Sequence, residues 1–189
     1  MELKTIVPSP DCRIMLVGEA PTQKDIQAGK PYSGHTSGIL TKVLQLAGIY
    51  IGDCIITHCS NQPMTKFFVG KNMGKPTPEF QLQIDRLKQE ITQYNPNIIV
   101  ALGALPMYIL TGNKRIKNFR GYIEPCSLVP GKKVITTYTP KTISFEWTLL
   151  YQAAMDLRKA LHESETPDIR PDHRNLVVAP TKQQAIEYL

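Results

Sequence analysis

The chain alternates short apolar runs with longer stretches whose apolar residues recur every three or four positions. Residues 14–17, 53–58, 97–103 and 133–138 are runs of the first kind, short and continuous enough to predict strands buried on both faces. Between them, residues 35–48 put Ile39, Leu40, Val43, Leu44 and Ala47 on one face and stop at Gly48, which predicts an amphipathic helix. Residues 78–93 do the same with Phe80, Ile84, Leu87 and Ile91. A short helix is expected between Gly103 and Leu110. Ile143, Trp147, Leu150, Ala154, Leu157 and Leu161 then recur at helical spacing, which predicts one long helix packed back on the sheet. This alternation predicts an α/β fold, a three-layer αβα domain with a central, mostly parallel four-stranded sheet.

Two stretches break the pattern. Residues 60–78 form a long polar loop rich in Pro, Lys and Gly with Phe67 and Phe68 in its middle, and loops of that length in compact domains tend to carry function. Residues 163–174 have no apolar periodicity and read as a linker. Residues 175–189 open a new strand and helix, capped by Thr181. A lone strand–helix pair cannot bury its apolar face, so the domain is expected over residues 1–162, with 175–189 the start of a following region or a docked tail.

The first strand leads into the most informative stretch. At Gly18 the hydrophobicity stops and Glu19, Ala20, Pro21, Asp25 and a Gly-Lys-Pro-Tyr segment follow. A buried strand ending in a polar loop with Gly and Pro at set places is how open α/β sheets present a ligand site at a strand's carboxyl end. No Gly-x-Gly-x-x-Gly or Walker-type loop follows any strand, which argues against a dinucleotide or nucleoside-triphosphate binder.

Composition adds one strong hint. The chain has 189 residues, 42% of them hydrophobic, enough for one domain and a remainder. No apolar run is long enough to span a membrane, the N-terminus lacks the apolar region of a secretory signal, and four cysteines without paired spacing suit a reducing, cytoplasmic compartment. The net charge of +6 is uneven: residues 60–141 hold 12 Lys and Arg against 4 Asp and Glu. That is the footprint of a face that binds a polyanion. Lys114, Arg115, Lys117, Arg120, Lys132, Lys133 and Lys141 fall near strand ends and loops and suit DNA phosphates. Lys66, Lys71 and Lys75, with Phe67 and Phe68, read as a second arm, charge with aromatic stacking, for gripping a single strand.

The stretch from Gly18 to Gly34 resembles the first motif of the uracil-DNA glycosylase superfamily, above all its family 4 type and the related domain at the front of phage-type DNA polymerases. Gly18, Glu19, Ala20, Pro21, Asp25, Gly29, Pro31, Tyr32 and Gly34 match it without a gap. Ala101-Leu-Gly103, Leu110-Thr-Gly112 and Arg120-Gly121 are also similar, so the resemblance covers residues 12–160. It implies a monomeric DNA-binding domain that excises uracil or another damaged base by N-glycosidic hydrolysis. Residues 175–189 resemble the opening of the proofreading exonuclease of family A polymerases, which implies a polymerase or exonuclease module in cis.

By that resemblance Glu19 positions water or stabilises the sugar cation, Asp25 assists, and Tyr32 stacks on the flipped base, with Gly18, Ala20 and Pro21 shaping the base pocket. The sequence departs from the family at three places. Ile55 stands where the family has an Asn that reads the base edge, and isoleucine has no hydrogen-bonding group. Thr139 and Lys141 stand where the late motif has His and Ser, so Lys141 is the candidate to replace the lost donor. Family 4 members hold an iron–sulfur cluster on four cysteines, whereas here only Cys12 and Cys59 match and Ile84 takes the fourth position; no metal and no cofactor are predicted. Two readings follow: an active glycosylase, or a catalytically degenerate fold kept as a DNA-binding and processivity module. What separates them is whether a side chain such as Asn61 or His58 enters the pocket.

Overall fold

The computed structural model describes residues 2–70, 73–169 and 181–183. In chain order the elements are β1 (Ile14–Gly18), α1 (Gln23–Ala28), α2 (Thr36–Ala47), β2 (Cys54–His58), α3 (Pro78–Tyr94), β3 (Ile98–Leu102), α4 (Ala104–Thr111), α5 (Ile116–Phe119), β4 (Ile123–Pro125), β5 (Lys133–Thr137), α6 (Pro140–Phe145) and α7 (Leu149–Glu163). The sheet runs β2-β1-β3-β5-β4, parallel except for β4, which pairs antiparallel with β5.

Successive strand residues point to opposite faces, and the two cores follow that period of two. Ile14, Leu16, Ile56, Val100 and Ile135 pack with α2, α6 and α7, while Met15, Val17, Ile55, Ile99 and Val134 pack with α3 and α4. This is the expected three-layer α/β architecture. Because β2 and β3 flank β1, the chain leaves β1 toward one side of the sheet and later returns on the other. The carboxyl ends of β1 and β3 therefore border the crevice where open α/β sheets bind ligands.

The short helices α1 and α5 were not predicted, and two larger features also differ from the sequence reading. The sheet has five strands instead of four: β4 is three residues long, partly exposed, and ends in Pro125 at a sheet edge, where a missing N–H costs no ladder bond. Too short to show a period, it left no pattern. The predicted long C-terminal helix is two helices. Thr139 caps α6 with Pro140 at its first position, and the chain leaves helical geometry at Glu146 before α7 begins. Trp147 thus falls in the break and is 55% exposed instead of in the core.

The Phe67–Phe68 part of the loop after β2 is pinned by its aromatics. Phe67 and Phe68 meet the buried Phe80 edge-on at 4.9 and 5.7 Å, and Phe68 also meets Tyr108 at 5.6 Å. Their rings are committed to packing, which removes them as a stacking arm for a strand of DNA.

Candidate active site

A cleft of about 490 Å³ lies across the carboxyl ends of β1, β2 and β3 and the start of α6, within the ~300–1,000 Å³ typical of small-molecule sites. Glu19, Ala20, Asp25, Tyr32, His58, Leu102, Thr139 and Lys141 are among its lining residues.

Glu19 follows β1 directly. Its carbonyl accepts from the Ser60 N–H at 3.2 Å, just as Gly18 accepts from Cys59 at 2.8 Å, so the β1–β2 ladder continues past the strand ends and fixes the Glu19 backbone. Its side chain is exposed to the cleft and makes no hydrogen bond or ion pair among the described residues. A carboxylate on a rigid backbone with both oxygens free is available to a ligand or a water.

Asp25 is used differently. It is buried, and its Oδ2 accepts from the Thr22 N–H at 2.8 Å and the Thr22 hydroxyl at 2.7 Å, closing a capping box on α1. Its Oδ1 accepts from the Ser33 N–H at 2.6 Å. Burial pushes its pKa up, but these bonds, Ser33 first, outweigh it and hold the carboxyl below its ordinary value. Asp25 thus ties α1 to the Pro31–Gly34 turn, where Tyr32 sits at φ 51°.

That turn lays the Tyr32 ring against His58, with centroids 5.4 Å apart and planes 28° from parallel. Both rings lean over Gly18: a Cβ there would lie 2.4 Å from the Tyr32 hydroxyl and 2.6 Å from His58 Cδ2. Glycine is needed at this position to let the two rings approach the strand end. Burial raises the Tyr32 pKa further above its ordinary value, helped by the negative charge of Asp25, so the phenol stays protonated.

His58, at the last position of β2, is 5% exposed and lines the cleft. Its carbonyl accepts from Arg86 Nη2 at 2.6 Å, and Arg86 in turn pairs with Glu90 at 2.6 Å, so α3 clamps the strand end from the opposite face. Burial brings its pKa down to about 4 despite the nearby Asp25, leaving the imidazole neutral.

The late-motif residues meet the cleft from its far wall. Thr139 reaches it, but its Oγ1 accepts from the Thr142 N–H at 2.9 Å as the cap of α6. Lys141 is exposed and lines the cleft.

Several sequence expectations are corrected. Ile55 is not at the base edge: it sits mid-strand, 1% exposed, on the α3 face with Met15. His58, three residues later, falls on the opposite face and reaches the cleft. Lys133 offers nothing to DNA, because its side chain is fully buried and paired with Glu163 at 3.0 Å. Lys132 donates to the Pro96 carbonyl at 3.0 Å, at the edge of the sheet where β5 begins, opposite the cleft. Arg120 is held by Asp156 at 2.7 Å and stands over the Tyr138 ring. Lys114, Arg115, Lys117, Lys66 and Lys75 are exposed but line no part of the cleft, and Lys71 lies outside the described residues. So does most of the predicted strand and helix at 175–189.

Lys24, His35 and Thr36 line the cleft and were not anticipated. They come from the helix ends that the first motif brackets, which is the signal that could have found them.

The cysteines do not fit a four-thiolate cluster. Cys12 and Cys59 are buried in the apolar core with Ile84, which carries no ligand atom, and no group of three or more His, Cys, Asp or Glu among the described residues is disposed to hold a metal ion.

Comparison with known proteins identifies the family. The sequence model of the uracil DNA glycosylase superfamily matches residues 6–163. A type-4 uracil-DNA glycosylase of Thermotoga maritima is 32% identical over 134 residues, 69% of this chain and 65% of that protein. A type-4 uracil-DNA glycosylase of Pyrobaculum aerophilum is 32% identical over 92 residues, 49% of this chain and 44% of that protein. The chain thus spans under two thirds of either relative. With most of its length matched by the family's own pattern, the chain belongs to the uracil DNA glycosylase superfamily.

Proposed function

We propose that this domain binds DNA, takes one extruded base into the cleft, and hydrolyses the bond between that base and its sugar, uracil being the first candidate. The observation that carries this is Glu19, an unpartnered carboxylate fixed at the end of β1 beside Tyr32. Extruding a base costs a few kcal/mol, least for a mismatched or single-stranded one. As the C1′–N bond breaks, its electron pair leaves with the base and an oxocarbenium-like sugar forms. Glu19 stabilises that cation and takes the proton of the water that adds to C1′. The ammonium of Lys141 faces the charge that develops on the base. The products are the free base and an abasic site.

A second reading has a specific observation behind it. Thr139 caps α6 with its hydroxyl oxygen and shares a hydrogen bond with the Thr142 hydroxyl, and Ile55 is buried in the core, so neither offers the Asn or His group that the family has there, which suits a DNA-binding module with a degenerate site. Chromatographic detection of free uracil, after incubation with single- and double-stranded uracil oligonucleotides, separates the two. Release supports the enzyme; no release with salt-dependent DNA binding intact supports the module.

A polymerase or exonuclease partner in cis is supported only by the resemblance of residues 175–189 to an exonuclease opening. The mass of the native gene product tests it: a chain long enough for a polymerase is expected, and one ending with this domain excludes it. A cytoplasmic setting is supported by four unpaired, buried cysteines; no helix among the described residues is long and apolar enough to cross a membrane.

A further inference from the structure

We propose that His58 is the group that hydrogen-bonds the edge of the extruded base, entering from the end of β2 in place of the donors absent at Ile55 and Thr139. This rests on the glycosylase reading and names a contact residue within the same site.

Four observations converge on it. His58 lines the cleft, yet only 5% of it is exposed, so the ring meets solvent through the cleft alone. Neither ring nitrogen has a hydrogen-bond partner among the described residues, although Thr57 and Ser60 on either side are each bonded. The buried unpartnered side-chain atoms among the described residues are Asn61 Oδ1, Glu124 Oε2 and Thr136 Oγ1, not the His58 nitrogens, so the ring is open to the cleft, where a ligand atom can pair with it. The ring is also held in place: Tyr32 stacks on one side, a Cβ at Gly18 would touch it on another, and Arg86 holds its carbonyl. Finally, strand alternation puts His58 on the cleft face and Ile55 on the α3 face, so a donor at the strand end is the one β2 can offer.

The chemistry suits a pyrimidine edge. A neutral imidazole has one N–H donor and one lone-pair acceptor, which point away from each other, so the nitrogen facing the cleft makes one bond, its N–H suiting a carbonyl oxygen of uracil. The low pKa keeps it in that form at neutral pH. As the glycosidic bond breaks, the donor faces the oxygen that gains charge; removing one preorganised donor of this kind costs on the order of 100-fold or more in rate.

The test uses the full chain labelled with 15N in its histidine rings. The chain has 4 histidines, so His58→Gln assigns the signal. An oligonucleotide with one uracil should shift the His58 ring nitrogens, and the same oligonucleotide with an abasic analogue at that position should not. In parallel, His58→Leu should cut uracil release by on the order of 100-fold, with His58→Gln, which keeps a donor, retaining more than His58→Leu. Unmoved ring nitrogens while uracil is bound or released would overturn this assignment and leave the glycosylase reading standing. No uracil-dependent binding or release at all would overturn both. Should His58→Leu fail to fold, the ring signals of the wild-type chain still decide.

Discussion

Asp25 accepts a hydrogen bond from the Ser33 N–H at 2.6 Å while its other oxygen caps α1. One carboxylate therefore sets the path of the whole loop from Glu19 to Gly34, including the left-handed backbone at Tyr32.

These bonds give Asp25 a structural role, and two substitutions test whether it has another. Asp25→Ala loses a helix cap and leaves two backbone donors without their acceptor, for about 2–4 kcal/mol of stability by chemical denaturation. Asp25→Asn keeps one acceptor oxygen and should lose about 1 kcal/mol. If Asp25 were instead the reacting base, Asp25→Asn would abolish turnover with stability intact.

Gly18→Ala places a methyl within 2.6 Å of both the Tyr32 hydroxyl and His58 Cδ2. The rings must separate, for about 1–3 kcal/mol, and the cleft must lose its shape. Melting temperature and affinity for a uracil oligonucleotide should fall together; an unchanged affinity would show that the paired rings do not form the base site.

His58 gives the protein a pH signature. Its folded pKa is depressed to about 4 from 6.5, so between those values the unfolded chain binds the proton and the folded one does not. Stability from this source is full above pH 6.5 and is lost as pH falls toward 4, on the order of 3 kcal/mol in all. Asp25, also depressed, loses its share only as pH falls below its ordinary value of 3.8. Denaturation midpoints from pH 7 to 4 should therefore fall more steeply for wild type than for His58→Gln. Parallel curves would mean the ring is not buried as described.

The basic residues divide by burial. Lys133→Ala strands Glu163 and should cost about 3 kcal/mol without changing how affinity depends on salt. Arg115→Ala and Lys117→Ala, both exposed, should leave stability alone and each lower the slope of log affinity against log salt by about 1 if they contact phosphate. Filter binding at several salt concentrations distinguishes them, and a salt-insensitive wild type would remove the DNA face altogether.

The parts of this fold legible in the sequence are those that repeat. The four parallel strands are continuous apolar runs, and Leu40, Val43 and Leu44 or Phe80, Ile84 and Leu87 mark helix faces at a period a reader can count. β4 and the α6–α7 break escaped because three residues and one cap carry no period. Glu19 and Tyr32 line the cleft, in the stretch that their motif marks in the sequence. Lys133 was misread because charge count cannot show that α7 ends beside the start of β5 and buries the ammonium. The sequence does not show His58 in the cleft, because its place there comes from strand register, which puts it beside Gly18.

If the free carboxylate at the end of β1 does the chemistry, the rate of uracil release depends on it. The most direct test is the single-turnover rate of uracil release by wild type and Glu19→Gln, measured with saturating enzyme on a uracil oligonucleotide. Wild type should release uracil, and Glu19→Gln should be slower by about 100-fold or more, with oligonucleotide affinity and melting temperature preserved. Equal rates in the two proteins would contradict this dependence, and so would the absence of release from both.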